Sequence, residues 1–127
     1  MPGSFGKVKV EVPVRYKFIS KVVEVTDETV HAGRSNNFSS KGIVLQGKLP
    51  SDELLGHLLR GEVYVGMNIM LPNREEPIKA LGKIFWIEVD EKRPEWCEMG
   101  ANFVEIDKDA KDALVRFTIR AQITKRF

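Results

Sequence analysis

The first part of the chain alternates between apolar and polar residues, and this period of two constrains the fold more than any other feature. Successive side chains of a β-strand point to opposite faces, so the alternation predicts a strand with one buried and one exposed face. Pro13 lies on the polar face and lacks a backbone donor, which indicates a sheet edge, a bulge or a bend. The run is therefore either one strand or two strands joined by a kink. Its apolar face consists of Val8, Val10, Val12, Val14, Tyr16 and Phe18.

Shorter strand patterns follow, separated by residues that favour turns. A β-branched stretch over residues 22–26 and a short strand over residues 29–32 together predict a hairpin. Residues 33–37 are rich in glycine, serine and asparagine, so we expect a loop there. Further strands are expected over residues 42–46, 63–71, 78–89 and 99–106.

Two segments have the pattern of a helix. Ser51 is placed to cap a short helix near residues 51–60, and Gly61 would end it. After Asp107 the apolar period becomes that of an amphipathic helix near residues 108–124. Its apolar face consists of Ala110, Ala113, Leu114, Phe117 and Ala121. Several short strands followed by one terminal helix predict an all-β fold, a small antiparallel barrel whose end or edge the helix covers.

Length and charge limit the classes of function. A chain of 127 residues has the length of one domain, so we expect a single domain over residues 1–127, with residues 1–6 flexible. The net charge is only +2, which does not favour binding to DNA. No apolar stretch has the length of a signal peptide or a membrane span, so we expect a cytoplasmic protein.

The sequence offers little material for catalysis or metal binding. Cys97 is the only cysteine, so the chain can form neither an internal disulfide nor a cysteine-based zinc site, and we expect Cys97 in the core. His31 and His57 do not have the spacing of two ligands to one metal. No pairing of a nucleophile with a base is visible, so we expect neither an enzyme nor a site for a metal or cofactor.

A polar cluster at residues 37–42 is the best candidate for a binding site. Its pattern is Asn-x-Ser-x-x-Gly, formed by Asn37, Ser39 and Gly42. The asparagine amide and the serine hydroxyl can each donate and accept hydrogen bonds. Glycine, which lacks Cβ, permits either a positive φ or a close approach of a ligand to the backbone. The alternative is that these residues only favour a turn by bonding to their own backbone.

This cluster and its surroundings resemble the PilZ domain family. The family pattern (Asp/Asn)-x-Ser-x-x-Gly matches residues 37–42, and the segments around it agree over nearly the full length. The similar segments are the first barrel strand at residues 12–18, the Ser-x-x-Gly-apolar segment at 39–45, the glycine and alternating strand at 61–72, the tryptophan-bearing strand at 80–86 and the Gly-x-x-Phe at 100–103.

The resemblance implies a six-stranded antiparallel β-barrel with a C-terminal helix. It also implies a non-enzymatic receptor for the second messenger cyclic di-GMP, with Asn37, Ser39 and Gly42 among the residues that contact the nucleotide.

The chain departs from the family at a second motif. Members that bind cyclic di-GMP carry an Arg-x-x-x-Arg motif just before the first strand, and the matching positions here fall near Gly3 and Lys7. Lysine replaces arginine poorly, because the Hoogsteen edge of guanine is best met by a planar donor with two prongs.

Three basic residues are candidates to replace these arginines. Arg34 lies three residues before Asn37 and is the preferred one, whereas Lys7 and Lys9 would attract phosphate by charge alone. The alternatives are an arginine that only faces solvent and lysines that only guard a strand edge. An Arg-x-x-x-Arg sequence at residues 116–120 lies in the terminal helix, where an exposed charged face explains it better. Two tryptophans, Trp86 and Trp96, are more often core residues but can also stack on a base.

Two functions follow from these observations. The first is a receptor or adaptor that binds cyclic di-GMP, with weakened affinity, and controls motility, pili, exopolysaccharide or biofilm in bacteria. The second is an interaction module of the same fold that does not bind the nucleotide and contacts a protein of a motility, pilus or polysaccharide system. Apolar surface left exposed on the terminal helix would serve a partner protein or a homodimer.

Overall fold

The computed structural model describes residues 7–20 and 29–126, and six strands within this part of the chain form a closed antiparallel barrel. The order around the barrel is β1-β2-β3-β6-β5-β4, so that β1 pairs with both β2 and β4. The predicted six-stranded barrel with a short helix and a C-terminal helix is confirmed. The elements are β1 (Lys7–Ile19), β2 (His31–Asn37), β3 (Gly42–Lys48), α1 (Asp52–Leu59), β4 (Tyr64–Ile69), β5 (Ile78–Val89), β6 (Trp96–Ile106) and α2 (Lys108–Arg126).

The alternation at the start of the chain has the predicted consequence. Val12, Val14, Tyr16 and Phe18 are buried in the core, and the polar residues between them are exposed. The run is one strand, and its register against β2 shifts between Lys7 and Val12, just before the proline that indicated a bulge or bend. A strand face buried in this way fixes the register of β1 in the barrel.

The prediction of a loop over residues 33–37 is wrong, because these residues belong to β2. β2 lies between β1 and β3, and tight packing at this place requires small residues. A Cβ atom on Gly33 would lie 2.6 Å from the carbonyl oxygen of Gln46 and 2.9 Å from a ring carbon of Tyr16. Ser35 is fully buried. The composition typical of a loop thus comes from close contacts between strands, which override the local propensity.

Part of the predicted hairpin cannot be placed on these strands. The stretch over residues 22–26 lies outside the described residues, as do residues 1–6. Residues 29 and 30 are described but precede β2, which begins at His31.

The two helices begin and end close to the predicted positions. The Oγ atom of Ser51 accepts a hydrogen bond from the Leu54 backbone nitrogen at 3.3 Å and so caps α1. Gly61, which follows α1, has a φ of 74°, a conformation that favours glycine. In α2 the predicted apolar face packs on the barrel, with Leu114 fully buried. No helix of the described residues is long and apolar enough to cross a membrane.

Cys97 lies in the core, as predicted. It is 2% exposed, on the inner face of β6. Burial, with a smaller contribution from the charge of Glu98, raises the pKa of the Cys97 thiol from 9.0 to about 11. The thiol is therefore protonated and inert at neutral pH.

Candidate functional site

The Asn-x-Ser-x-x-Gly cluster forms the tight turn between β2 and β3. Asn37 is the last residue of β2 and Gly42 is the first residue of β3. The Ser39 backbone nitrogen donates to the Gly42 carbonyl oxygen at 2.9 Å, and the Ser39 Oγ accepts from the Lys41 backbone nitrogen at 3.1 Å. The Ser39 hydroxyl hydrogen and a second lone pair remain to meet a ligand, because a hydroxyl has one donor and two acceptor positions.

The residue between the two polar motif positions anchors this turn. Phe38 is fully buried and forms a β-bridge with Ile43, which is also fully buried. The Phe38 ring stacks on the ring of Phe117 in α2, with centroids 5.9 Å apart and an angle of 21° between the planes. On the β2 side, the Asn37 backbone nitrogen donates to the buried Ser35 Oγ at 3.2 Å. The turn is therefore held on both of its strands by buried contacts.

Gly42 is buried at the junction of the turn with the barrel wall. It pairs with Asn102 of β6, and the neighbouring Lys41 carbonyl oxygen accepts from the Phe103 backbone nitrogen at 2.9 Å. Among the described residues, the positive φ belongs to Gly61 and not to Gly42. Gly42 therefore does not provide a positive φ. The other reason for a glycine at this position, a close approach of another group to the backbone, is compatible with its conformation.

The start of β1 lies beside the turn. Lys7 is the register partner of Asn37, although the sequence separates the two residues by 30 positions. Lys9 follows in the same strand, within the stretch where the register shifts. The structure thus brings the backbone of Lys7 beside Asn37, the first motif residue.

Arg34 has its contacts elsewhere. Its Nε atom lies 3.3 Å from the Gln46 Oε1 and 3.7 Å from the Glu11 Oε2, and its side chain is 50% exposed. Gln46 in turn donates from Nε2 to the Glu98 Oε2 at 3.1 Å. These four side chains form a polar row across four neighbouring strands, and the Asn37–Gly42 turn is not part of it.

The polar row borders a groove of about 490 Å³. Carboxylates outnumber cations among its lining residues by two, so the groove does not favour an anion. The carboxylates belong to Glu11, Glu88, Asp90, Glu91 and Glu98, and the cations to Arg34, Lys92 and Arg93. Sequence reasoning missed this groove, because its residues come from five strands and a loop whose register the sequence does not reveal.

The loop between β5 and β6 forms one wall of the groove. Asp90 accepts hydrogen bonds from the backbone nitrogens of Lys92 at 2.9 Å and Arg93 at 3.1 Å. These two bonds lower the pKa of the Asp90 carboxyl, so it stays charged. The Arg93 guanidinium lies over the Trp96 ring, 5.6 Å from its centroid. Trp96 therefore already has a cation on its face and lies away from the turn.

Trp86 lies on the outer surface of the barrel, nearer to the turn. Its register partner is Gly100, and a Cβ atom on Gly100 would collide with the Nε1 atom of the indole ring. Met99 and Ala101 face the core, so Gly100 faces outward and Trp86 covers it from outside. Asn102 lies two residues after Gly100 in β6 and also faces outward. It pairs with Gly42 of β3 on one side and with Lys83 of β5 on the other. Trp86 and Gly42 thus lie on the same outer face, and their partners in β6, Gly100 and Asn102, are two residues apart.

A sequence model of the PilZ domain family matches residues 13–120. The chain belongs to the PilZ domain family. PilZ domains are generally non-catalytic receptor domains and typically bind cyclic di-GMP. No curated protein matches the sequence.

Solved structures share the PilZ fold. The inhibitor of motility MotI/DgrA of Bacillus subtilis matches with a TM-score of 0.67 at 22% identity, over 100% of this chain and 54% of that protein. MrkH of K. pneumonia in its apo state matches with a TM-score of 0.70 at 11% identity, over 99% of this chain and 53% of that protein. At these identities the likeness shows the fold alone. The chain spans about half the length of the solved structures it matches.

Proposed function

We propose that this PilZ domain binds cyclic di-GMP at the Asn37–Gly42 turn and acts in bacterial signalling that controls motility, pili, exopolysaccharide or biofilm. The observation that carries the proposal is the turn itself. It keeps all three motif residues, it is closed by its own hydrogen bonds, and it has the start of β1 beside it. A preformed turn binds a ligand with little loss of conformational entropy.

Each motif residue has a role that suits the nucleotide. The Asn37 amide offers donors and acceptors to a guanine or ribose edge, and the Ser39 hydroxyl offers a contact to phosphate or base. Gly42 lets the ligand approach the backbone. The half-buried Trp86 ring, one row away, supplies an aromatic surface near the same face.

The affinity is expected to be lower than in family members with both arginines. One bidentate contact to guanine is worth about 1–3 kcal/mol, and the loss of two weakens binding on the order of a hundredfold or more. As residue types, Lys7 and Lys9 supply positive charge but no planar two-pronged donor.

Calorimetric titration with cyclic di-GMP tests the proposal. The wild type is expected to bind in the micromolar range, and Asn37→Ala/Ser39→Ala to lose about tenfold or more in affinity, because it lacks two polar contacts. Ser40→Ala is the matched control, since it removes a hydroxyl from the same turn at a position outside the motif. No heat from the wild type at high micromolar ligand would refute nucleotide binding, and equal losses in the double variant and the control would refute the site.

One observation favours a second function, an adaptor that does not bind the nucleotide. Arg34, the preferred replacement for the missing arginines, contacts Glu11 and Gln46 at the edge of a groove in which carboxylates are in excess. In this case the domain would contact a protein of a motility, pilus or polysaccharide system, or a second copy of itself. A folded wild type that gives no heat with cyclic di-GMP supports this function, and sedimentation equilibrium then separates a homodimer from a monomer.

A further inference from the structure

The turn and the C-terminal helix meet at an aromatic contact. Phe38 lies between Asn37 and Ser39 and is fully buried, and its ring stacks on Phe117 of α2 at 5.9 Å. In an isolated hairpin, a phenylalanine at this position would face solvent. The helix therefore supplies part of the environment that buries the middle of the motif.

All three motif residues are tied to this contact through the backbone. Phe38 forms a bridge with Ile43, and each motif residue is a direct neighbour of one of these two. Asn37 precedes Phe38, Ser39 follows it, and Gly42 precedes Ile43. A shift of the Phe38 ring would thus move the backbone of every motif residue.

The helix also contacts the strand on the other side of the turn. α2 packs against β1, whose first residue, Lys7, is the register partner of Asn37. On α2 itself, Leu114 is fully buried and Phe117 is half-buried on the same apolar face. The helix therefore contacts the turn through Phe38 and also contacts β1, the strand that pairs with β2.

We propose that docking of α2 holds the Asn37–Gly42 turn in its binding geometry, with Phe117 as the positioning residue that acts through Phe38. Undocking of α2 weakens the nucleotide site and, by thermodynamic linkage, bound nucleotide holds α2 against the barrel. The ligand in this inference rests on the proposed function, but the coupling of helix and turn does not need the ligand to be measured.

Amide hydrogen exchange followed by NMR tests the coupling in the ligand-free protein. The reporters are the Ser39 and Lys41 amides, whose hydrogen bonds close the turn. In Phe117→Ala both are expected to exchange about fivefold faster or more, because local opening becomes easier. Ile119→Ala is the matched control, since Ile119 is 49% exposed on the same helix.

An amide in a second turn is the control that distinguishes local loosening of the Asn37–Gly42 turn from destabilisation of the whole domain. The Arg74 amide donates to the Leu71 carbonyl oxygen at 3.2 Å in the turn between β4 and β5. Its exchange is expected to change by less than about twofold in Phe117→Ala. Unchanged rates at Ser39 and Lys41, or an equal rise at Arg74, would overturn the inference. If Phe117→Ala does not fold, Phe117→Leu decides by the same criteria, since leucine keeps apolar volume without the ring stack.

Titration with cyclic di-GMP tests the linkage to binding. Phe117→Ala is expected to bind about fivefold more weakly than the wild type, and Ile119→Ala about equally. Faster turn exchange without a change in affinity would refute the linkage. A wild type that binds no nucleotide refutes the proposed function alone, because the exchange rates still decide whether α2 positions the turn.

Discussion

At the scale of single residues, the spacing of Arg34 and Asn37 decides what each can reach. Residues three apart on a regular strand face opposite sides, and their Cα atoms are roughly 10 Å apart. Arg34 accordingly contacts Gln46 and Glu11 from the neighbouring strands, and Asn37 lies at the turn. To meet a ligand at the turn, Arg34 would have to leave both Glu11 and Gln46 and reach the other side of the strand.

This placement gives a paired prediction. Glu11→Gln and Arg34→Ala are each expected to change the affinity for cyclic di-GMP by less than about twofold, because the contacts of Arg34 lie away from the turn. Calorimetry measures both, with the exposed Arg74→Ala as the control for loss of positive charge. A loss of about tenfold in Arg34→Ala would contradict this placement and would make Arg34 part of the site.

The sequence is sufficient to propose the contiguous part of the candidate site. Asn37, Ser39 and Gly42 lie within six positions, so a local pattern is sufficient to find them. The partners of Arg34 and the contact of Phe38 with Phe117 depend on which strands are neighbours and in which register. These are tertiary facts, and no local pattern contains them.

At the scale of elements, β2 shows how packing overrides local propensity. Its glycine, serine and asparagine residues favour a loop, but the strand is fixed by its pairing with β1 over residues 31–35. By contrast, the observed bounds of β5 match the predicted ones, and both helices lie close to their predicted positions. These predictions succeed because the apolar period and the capping residues are local signals.

The packing of β5 on β6 gives an element-scale prediction. Gly100→Ala is expected to destabilise the domain by about 1–3 kcal/mol, because the new Cβ must displace the Trp86 indole. Urea unfolding followed by tryptophan fluorescence measures both the stability and the indole environment.

A second glycine-to-alanine substitution, in α1, is the control. Gly56 lies in the middle of the helix, where a Cβ would meet only the flexible Arg60 guanidinium at 3.1 Å. Gly56→Ala is therefore expected to stabilise the domain by about 0.5–1 kcal/mol through helix propensity. Equal effects of the two substitutions would show that the Trp86 contact does not control packing at Gly100.

At the scale of the whole molecule, the buried thiol reports on unfolding. Cys97 is the only cysteine, and its pKa is raised to about 11 in the folded state. Ellman's reagent at pH 8 is expected to label it only as fast as the barrel opens, with a rate that rises with urea as global unfolding does. Rapid labelling in buffer without urea would contradict this placement of the thiol.

The raised pKa of the Cys97 thiol also predicts how the stability of the domain changes with pH. The folded thiol ionises near pH 11 and the unfolded thiol near the ordinary value of 9.0. The stability that depends on the neutral thiol is therefore present below pH 9 and is lost as the pH rises toward 11. Comparison of urea midpoints between pH 8 and pH 10 for the wild type and Cys97→Ala measures this part of the pH dependence.

The ring order of the strands has a consequence for synthesis on the ribosome. β3 pairs over its whole length with β6, and β1 pairs with β4, so each early strand needs a partner that is translated much later. Until β6 has emerged, β3 exposes a row of unsatisfied backbone donors and acceptors. The nascent chain therefore cannot close its barrel step by step. The barrel closes only after β6 has emerged, and Phe38 of the Asn37–Gly42 turn acquires its contact with Phe117 only when α2 has left the exit tunnel.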